Sequence, residues 1–390
     1  MFLAFALAYF FSALLRAVTA TLAPTFSAEL GLSAGDLGLL AGAYFLGFSL
    51  TQLPLGRQLD RLGPRRVLLG LLSVAALACV GFALAQSFGA LLATRALIGV
   101  GVAACLMAPM TAYRQRFEPD LQLRANSWML MTGSLGMLAS TLPVQWLLPL
   151  LGWRGLFWCV AVALLLAMLV IAWRVPADPP VSCAPAVTGG YREIFRQPYF
   201  LRMLPLGFCV YGGLLAVQSL WAGPWLTTVS GWTPAQAAGG LFVINASMLV
   251  AFFGWGAVIP RLARRGWDAN RLITWSVPVS LALLAGAVLK GASADAWWWA
   301  AWCVSCTAVS LAQPAVGHAF PTAVAGRALS AYNLVIFGGV FFMQWGIGLT
   351  IDALVAAGRP RAEAFRLAFA AFAVASAASY GWFLLRRGPR

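Results

Sequence analysis

The chain has 390 residues, of which 62% are hydrophobic and 9% charged, with a mean hydropathy of +0.84. Soluble domains carry about 45–50% apolar and about 25% charged residues, so composition excludes a globular cytosolic enzyme and predicts an all-α integral membrane protein. The net charge of +15 does not point to nucleic acid, because all basic residues but Lys290 are arginines, most of them clustered in short connections between apolar runs, where they orient a membrane protein.

Continuous apolar stretches of about 20 residues are the length of a spanning helix, and their lack of alternation excludes a transmembrane barrel. In chain order the predicted spans fall at 2–25, 35–56, 66–86, 89–112, 125–149 and 155–173, then at 201–228, 235–259, 270–290, 296–318, 328–351 and 363–385. The first stretch has no basic region ahead of it and reads as a span, not a cleaved leader. The expected domains are a six-helix bundle over 1–173, a cytoplasmic linker over 174–199 that is rich in proline, and a second six-helix bundle over 200–390. Nineteen basic residues fall on one set of alternate connections and five (Arg154, Lys290, Arg359, Arg361, Arg366) on the other, while Arg16 and Arg95 lie within spans. This places both termini on the cytoplasmic side of a multi-pass protein of the inner membrane. The cysteines (79, 105, 159, 183, 209, 303 and 306) show no paired extracellular pattern, so neither disulfides, a metal site nor a cofactor is expected.

The two halves repeat each other. At an offset of 200 residues, Gly31, Ser33, Asp36, Gly56, Arg61, Leu62 and Arg65 meet Gly231, Thr233, Gln236, Gly256, Arg261, Leu262 and Arg265. Ser33 with Asp36 and Thr233 with Gln236 each form a capping box that opens a helix. Parallel repeats of this kind are a transporter architecture, with the solute site expected between the halves near the midplane.

After the second span stands Gly56-Arg-Gln-Leu-Asp60-Arg61-Leu-Gly63-Pro-Arg65-Arg66. It resembles the signature loop of the major facilitator superfamily with every signature position filled. Arg95-x-x-x-Gly99-x-Gly101 in the fourth span resembles a second motif of that family, with Ile98 where glutamine often stands, and Gly152-Trp153-Arg154 matches a third. The resemblance implies two pseudo-symmetric six-helix bundles around a central cavity, lined by helices 1, 4, 7 and 10. It also implies that Asp60, with Arg61, Arg65, Arg66 and the glycines 56 and 63, forms a conformational latch in which the carboxylate faces a helix start in the other half. The glycines of the fourth span are not a dinucleotide fingerprint, because no strand precedes them; they serve close helix packing. The antiporter pattern of the fifth span is imperfect, with Gly133, Gly136 and Leu142-Pro143 in its place.

Arg16 lies in the middle of the first span, where a charge costs about 2.5–3.5 kcal/mol on insertion scales and must face a cavity or a partner. Tyr9, Ser12, Arg16 and Thr19 share one helical face. The seventh span offers Tyr211, Gln218, Trp221 and Trp225, and the tenth Cys303, Cys306, Ser310 and Gln313; Arg95 lies on the fourth. None of the eleven acidic residues lies in mid-span, so a buried carboxylate for a cation or a proton relay is missing, and two intramembrane arginines favour an anionic solute. His318 is the sole histidine and reads as a polar group at a span end. The candidate solute contacts are therefore Arg16, Tyr9, Ser12, Arg95, Tyr211, Gln218, Trp221, Trp225 and Gln313. The expected function is secondary transport of a small organic anion by alternating access, with efflux of a neutral or amphipathic compound as the alternative. The expected partners are the solute, a proton as candidate coupling ion and the lipid bilayer, with no nucleic acid and a monomeric state. An intramembrane enzyme lacks its acid/base set, and a receptor lacks a soluble sensing segment.

Overall fold

The computed structural model describes residues 1–178 and 191–386. Its long helices are α1 (Phe2–Leu30), α2 (Ala34–Leu62), α3 (Pro64–Leu84), α4 (Phe88–Arg116), α5 (Pro119–Ala139), α6 (Leu142–Arg174), α7 (Pro198–Thr228), α8 (Pro234–Arg264), α9 (Ala269–Lys290), α10 (Ala296–His318), α11 (Thr322–Ala356) and α12 (Arg361–Leu385), and a single turn at Tyr191–Ile194 precedes α7. Eleven described helices are long and apolar enough to cross a membrane. The exception is α5, whose first turns carry Asp120, Arg124 and Asn126.

Local chemistry sets the helix ends. Gly31 and Gly231 both hold positive φ (63° and 72°), a conformation that a side chain disfavours, and each precedes its capping box by two residues. In the first box Asp36 N donates to Ser33 Oγ and Ser33 N to Asp36 Oδ2, both at 3.1 Å; in the second, Thr233 N donates to Gln236 Oε1 at 2.9 Å and Gln236 N to Thr233 Oγ1 at 3.3 Å. The sequence repeat is therefore also a repeat of turn geometry. The fifth span differs from expectation in being broken at Ser140-Thr141, where both hydroxyls donate to carbonyls three residues back and Pro143 removes an amide. Helix resumes at Leu142 and turns at Gly152 (φ 62°) into the sixth span.

By their contacts the residues form two units, Met1–Thr19 with Ala43–Ala186 and Ala20–Gly42 with Val187–Arg390. The second takes in the end of α1 and the start of α2, which the sequence groups with the first bundle. Most of the expected linker, residues 179–190, lies outside the described residues, as does Cys183.

Within the first unit, small residues let helices approach closely, as they must where lipid offers no hydrophobic drive. A Cβ at Gly99 would overlap the Tyr44 carbonyl, one at Gly101 would fall among Ala75 atoms, and one at Gly47 would overlap the Ala96 carbonyl. The fourth-span glycines are thus packing positions. Trp153 is buried edge-on to Phe82 (5.6 Å between centroids) with Arg154 stacked on its outer side at 4.1 Å, which explains the Gly152-Trp153-Arg154 pattern.

Within the second unit, α7 is locally underwound into π-helical turns at Leu206–Tyr211 and Val217–Trp221. Such turns are rare and concentrate at functional sites. Its core joins Phe200, Met203, Leu206, Tyr332 and Ile336 at one end, and Trp225, Trp299, Trp302, Phe369 and Phe372 at the other.

Candidate functional site

The polar face of α1 divides into two clusters, each closed by a different helix. Arg95 reaches from α4 and donates through Nη2 to the Leu15 carbonyl (2.8 Å) and to Thr19 Oγ1 (2.6 Å), with its guanidinium 5.1 Å above the Tyr44 ring. It is 1% exposed. The sequence groups Arg95 with the solute contacts; in the structure its Nη2 ties α4 to α1, while Nη1 is buried with no hydrogen-bond partner among the described residues.

Arg16 is placed differently. It is only partly buried, lies 5.6 Å from the centre of the Phe48 ring, and stands beside the phenols of Tyr9 and Tyr44. Tyr44 also donates to the Ser12 carbonyl at 3.2 Å. Tyr9 rests on Gly133 of α5, where a Cβ would come 2.9 Å from the ring carbon that bears the hydroxyl, and a Cβ at Gly136 would overlap the Phe10 carbonyl. The fifth-span glycines therefore form the floor against which α1 presents Tyr9. Two phenols and one phenyl ring therefore stand close to the guanidinium, the planar group that two-point binding of a carboxylate uses. Tyr44 and Phe48 escaped the sequence reading because aromatic residues in an apolar run carry no signal of what they face.

In the second unit, Gln218 Nε2 donates to Asn245 Oδ1 (2.9 Å), Gln344 Nε2 to Ser219 Oγ (3.0 Å) and Gln313 Nε2 to Asn333 Oδ1 (2.6 Å). Gln218 is 4% exposed, whereas Tyr211 and Gln313 are partly covered. Trp221 and Trp225 are fully buried, their indoles donating to the carbonyls of Gln344 (3.1 Å) and Ala294 (3.2 Å). Trp225 lies edge-on to Trp299 and Phe369. Cys303 and Cys306 are buried, and His318 is exposed at the end of α10.

The signature loop is held by a carboxylate that the sequence did not single out. Asp178 accepts from the amides of Arg65 (3.1 Å) and Arg66 (3.0 Å), the first free N–H groups of α3, because Pro64 has none to offer. Gly63, at φ 83°, is required on two counts, since a Cβ there would run into the Asp178 side chain. Arg65 Nη2 donates to the Ala172 carbonyl (2.6 Å), and Arg116 Nη2 to those of Pro176 (3.2 Å) and Ala177 (3.0 Å). Asp60, Arg61 and Arg66 are exposed, and Gly56 has open space beside it.

Comparison with known proteins bears on the family and the fold. Residues 5–344 match the family model described as Major Facilitator Superfamily. The chain is 28% identical over 263 residues to the 3-(3-hydroxy-phenyl)propionate transporter of Escherichia coli K12, a stretch covering 66% of this chain and 60% of that protein. It is 34% identical over 173 residues to the chloramphenicol resistance protein of Streptomyces lividans, covering 44% and 43%. These matches span less than two thirds of either relative. Among solved structures, a bacterial homolog of the human lysosomal transporter Spinster superposes with a TM-score of 0.76 at 18% identity, over 99% of this chain and 96% of that one. The D-xylose-proton symporter superposes with the same TM-score at 15% identity, over 98% and 96%. With a family model running through eleven of its helices, the twelve-helix fold and the filled signature loop, the chain belongs to the Major Facilitator Superfamily.

Proposed function

We propose that the protein is a secondary transporter of a small organic anion, working by alternating access in the inner membrane with both termini cytoplasmic. The observation that carries the reading is Arg16, a partly buried mid-span guanidinium beside Tyr9, Tyr44 and Phe48, in a chain whose acidic residues all lie at span ends or in connections. Tyr9 and Ser12 belong to the same face, and Tyr211, Gln218 and Gln313 are the candidate contacts of the C-terminal half; Trp221 and Trp225 shape α7 from within its bundle. Asp60 with its loop serves as the conformational latch. The arylpropionate named for the E. coli relative makes aromatic carboxylates the first solutes to try.

Uptake into proteoliposomes against a panel of carboxylates, with and without a proton gradient, tests this directly. Arg16→Lys keeps charge but loses the planar fork, and Arg16→Gln loses both, so both weaken binding of the identified anion, Gln more. A cationic substrate, or an Arg16→Gln protein that carries the anion as well as the parent does, refutes the reading. Efflux of a neutral amphipathic compound is the second reading, favoured by the resistance protein among the relatives; it predicts transport that is indifferent to Arg16.

A further inference from the structure

The amides that begin α2 are held by a carboxylate more than three hundred residues further along the chain. Asp352, one turn before the end of α11, accepts from Ala34 N through Oδ1 (3.0 Å) and from Gly35 N through Oδ2 (2.7 Å). The third amide, that of Asp36, is taken by Ser33 Oγ, and the fourth, that of Leu37, by the Ser33 carbonyl. Each free N–H of the first turn therefore has a partner, and two of the four depend on another helix. Below this contact the helices meet through glycines: a Cβ at Gly35 would lie 2.7 Å from Asp352 Oδ2, one at Gly38 would overlap the Gln344 carbonyl, one at Gly42 would lie 2.9 Å from the Phe341 ring, and one at Gly348 would overlap the Ala34 carbonyl. Asp352 is only partly buried, and among the described residues no arginine or lysine forms an ion pair with it. What it holds is helix backbone, which water can also satisfy.

We infer that Asp352 is an outer-gate clasp: its carboxylate closes the α2–α11 seam in one state of the transport cycle and releases the Ala34 and Gly35 amides to water when the seam parts. A carboxylate at a helix start biases such an equilibrium by a few fold without locking it. The same helix carries Asp60 near its other end. With Asp60 as the latch of the outward-facing state, the two aspartates act at opposite ends of α2 with opposite sign. The inference rests on alternating access and on that role of Asp60, and not on which solute is carried.

Hydrogen exchange by mass spectrometry, on the full chain in lipid nanodiscs without solute, tests it. Asp352→Asn is expected to raise exchange in peptides covering 34–42 and 341–352 on the order of fivefold, leaving α3 and α9 unchanged. Gly35→Ala, which displaces the carboxylate without removing it, is expected to move the same peptides the same way, and Asp60→Asn to lower their exchange. If Asp352→Asn proves unstable, Gly35→Ala decides alone. Unchanged exchange in the seam peptides, a rise spread evenly over the chain, or Asp60→Asn moving them in the same direction as Asp352→Asn overturns the clasp. Because no solute is used, failure of the carboxylate screen leaves this result standing, and the reverse.

Discussion

Thr19 and Arg95 offer a quantitative test of what an intramembrane arginine is for. The structure gives Arg95 two short hydrogen bonds from one nitrogen, to the Leu15 carbonyl and to Thr19 Oγ1, inside a bundle where the side chain is 1% exposed. Hydrogen bonds to an ionised group contribute about 1.5–3 kcal/mol each. Thr19→Val keeps the shape of the threonine but leaves one buried donor of a cation with a single acceptor, so the expected cost is about 1.5–3 kcal/mol. Arg95→Met fills much of the same volume and removes the charge; it loses both bonds and also the cost of holding a guanidinium away from water, so its net effect is smaller than the sum of the lost bonds. In the Arg95→Met background Thr19→Val has no bond left to break and costs little. The double mutant is therefore expected to be non-additive by about 1–2 kcal/mol. Unfolding in mixed micelles, followed by tryptophan fluorescence for the four proteins without solute, closes the cycle. Additivity within about 0.5 kcal/mol would refute the assignment of Arg95 to the α1–α4 tie. An Arg95 that serves the solute instead predicts unchanged stability of the empty protein and loss of solute-dependent stabilisation alone.

Other perturbations follow from the same contacts. Gly99→Ala forces a methyl group into the Tyr44 carbonyl and is expected to cost about 1–3 kcal/mol, measured as a lower melting temperature in detergent, whereas Gly70→Ala, with nothing within 4 Å, is expected to cost little. Asp178→Ala uncaps α3 and is expected to cost about 0.5–2 kcal/mol and to raise hydrogen exchange at the Arg65 and Arg66 amides; unchanged exchange there would dissociate Asp178 from the signature loop. Trp225→Phe leaves the Ala294 carbonyl without its indole donor and opens space beside Trp299; melting is expected to fall while transport by the folded protein persists, and a selective loss of solute affinity would instead make Trp225 a solute contact.

The parts of this protein that local chemistry decides are legible in its sequence. Apolar runs of spanning length become helices because the bilayer leaves the backbone no other partner, and the glycines and hydroxyl boxes at offset 200 set the same turns twice because φ and the first free amides are settled within four residues. The filled signature loop identified the family for the same reason. The surroundings of each intramembrane charge come only from the packing of the helices. Arg16 and Arg95 look alike in sequence, each an arginine in a span, yet Arg95 is buried with its Nη2 on a carbonyl and a hydroxyl of α1, while Arg16 stands beside Tyr9 and Tyr44 and remains partly open. Trp221 and Trp225 share a stripe with Gln218 but turn their indoles to carbonyls of their own bundle. The carboxylates of Asp178 and Asp352 each cap a helix start that lies more than a hundred residues away in sequence. A helix start advertises its free amides in the sequence around it, but the group that satisfies them from another helix is selected only by the packing that brings the two together.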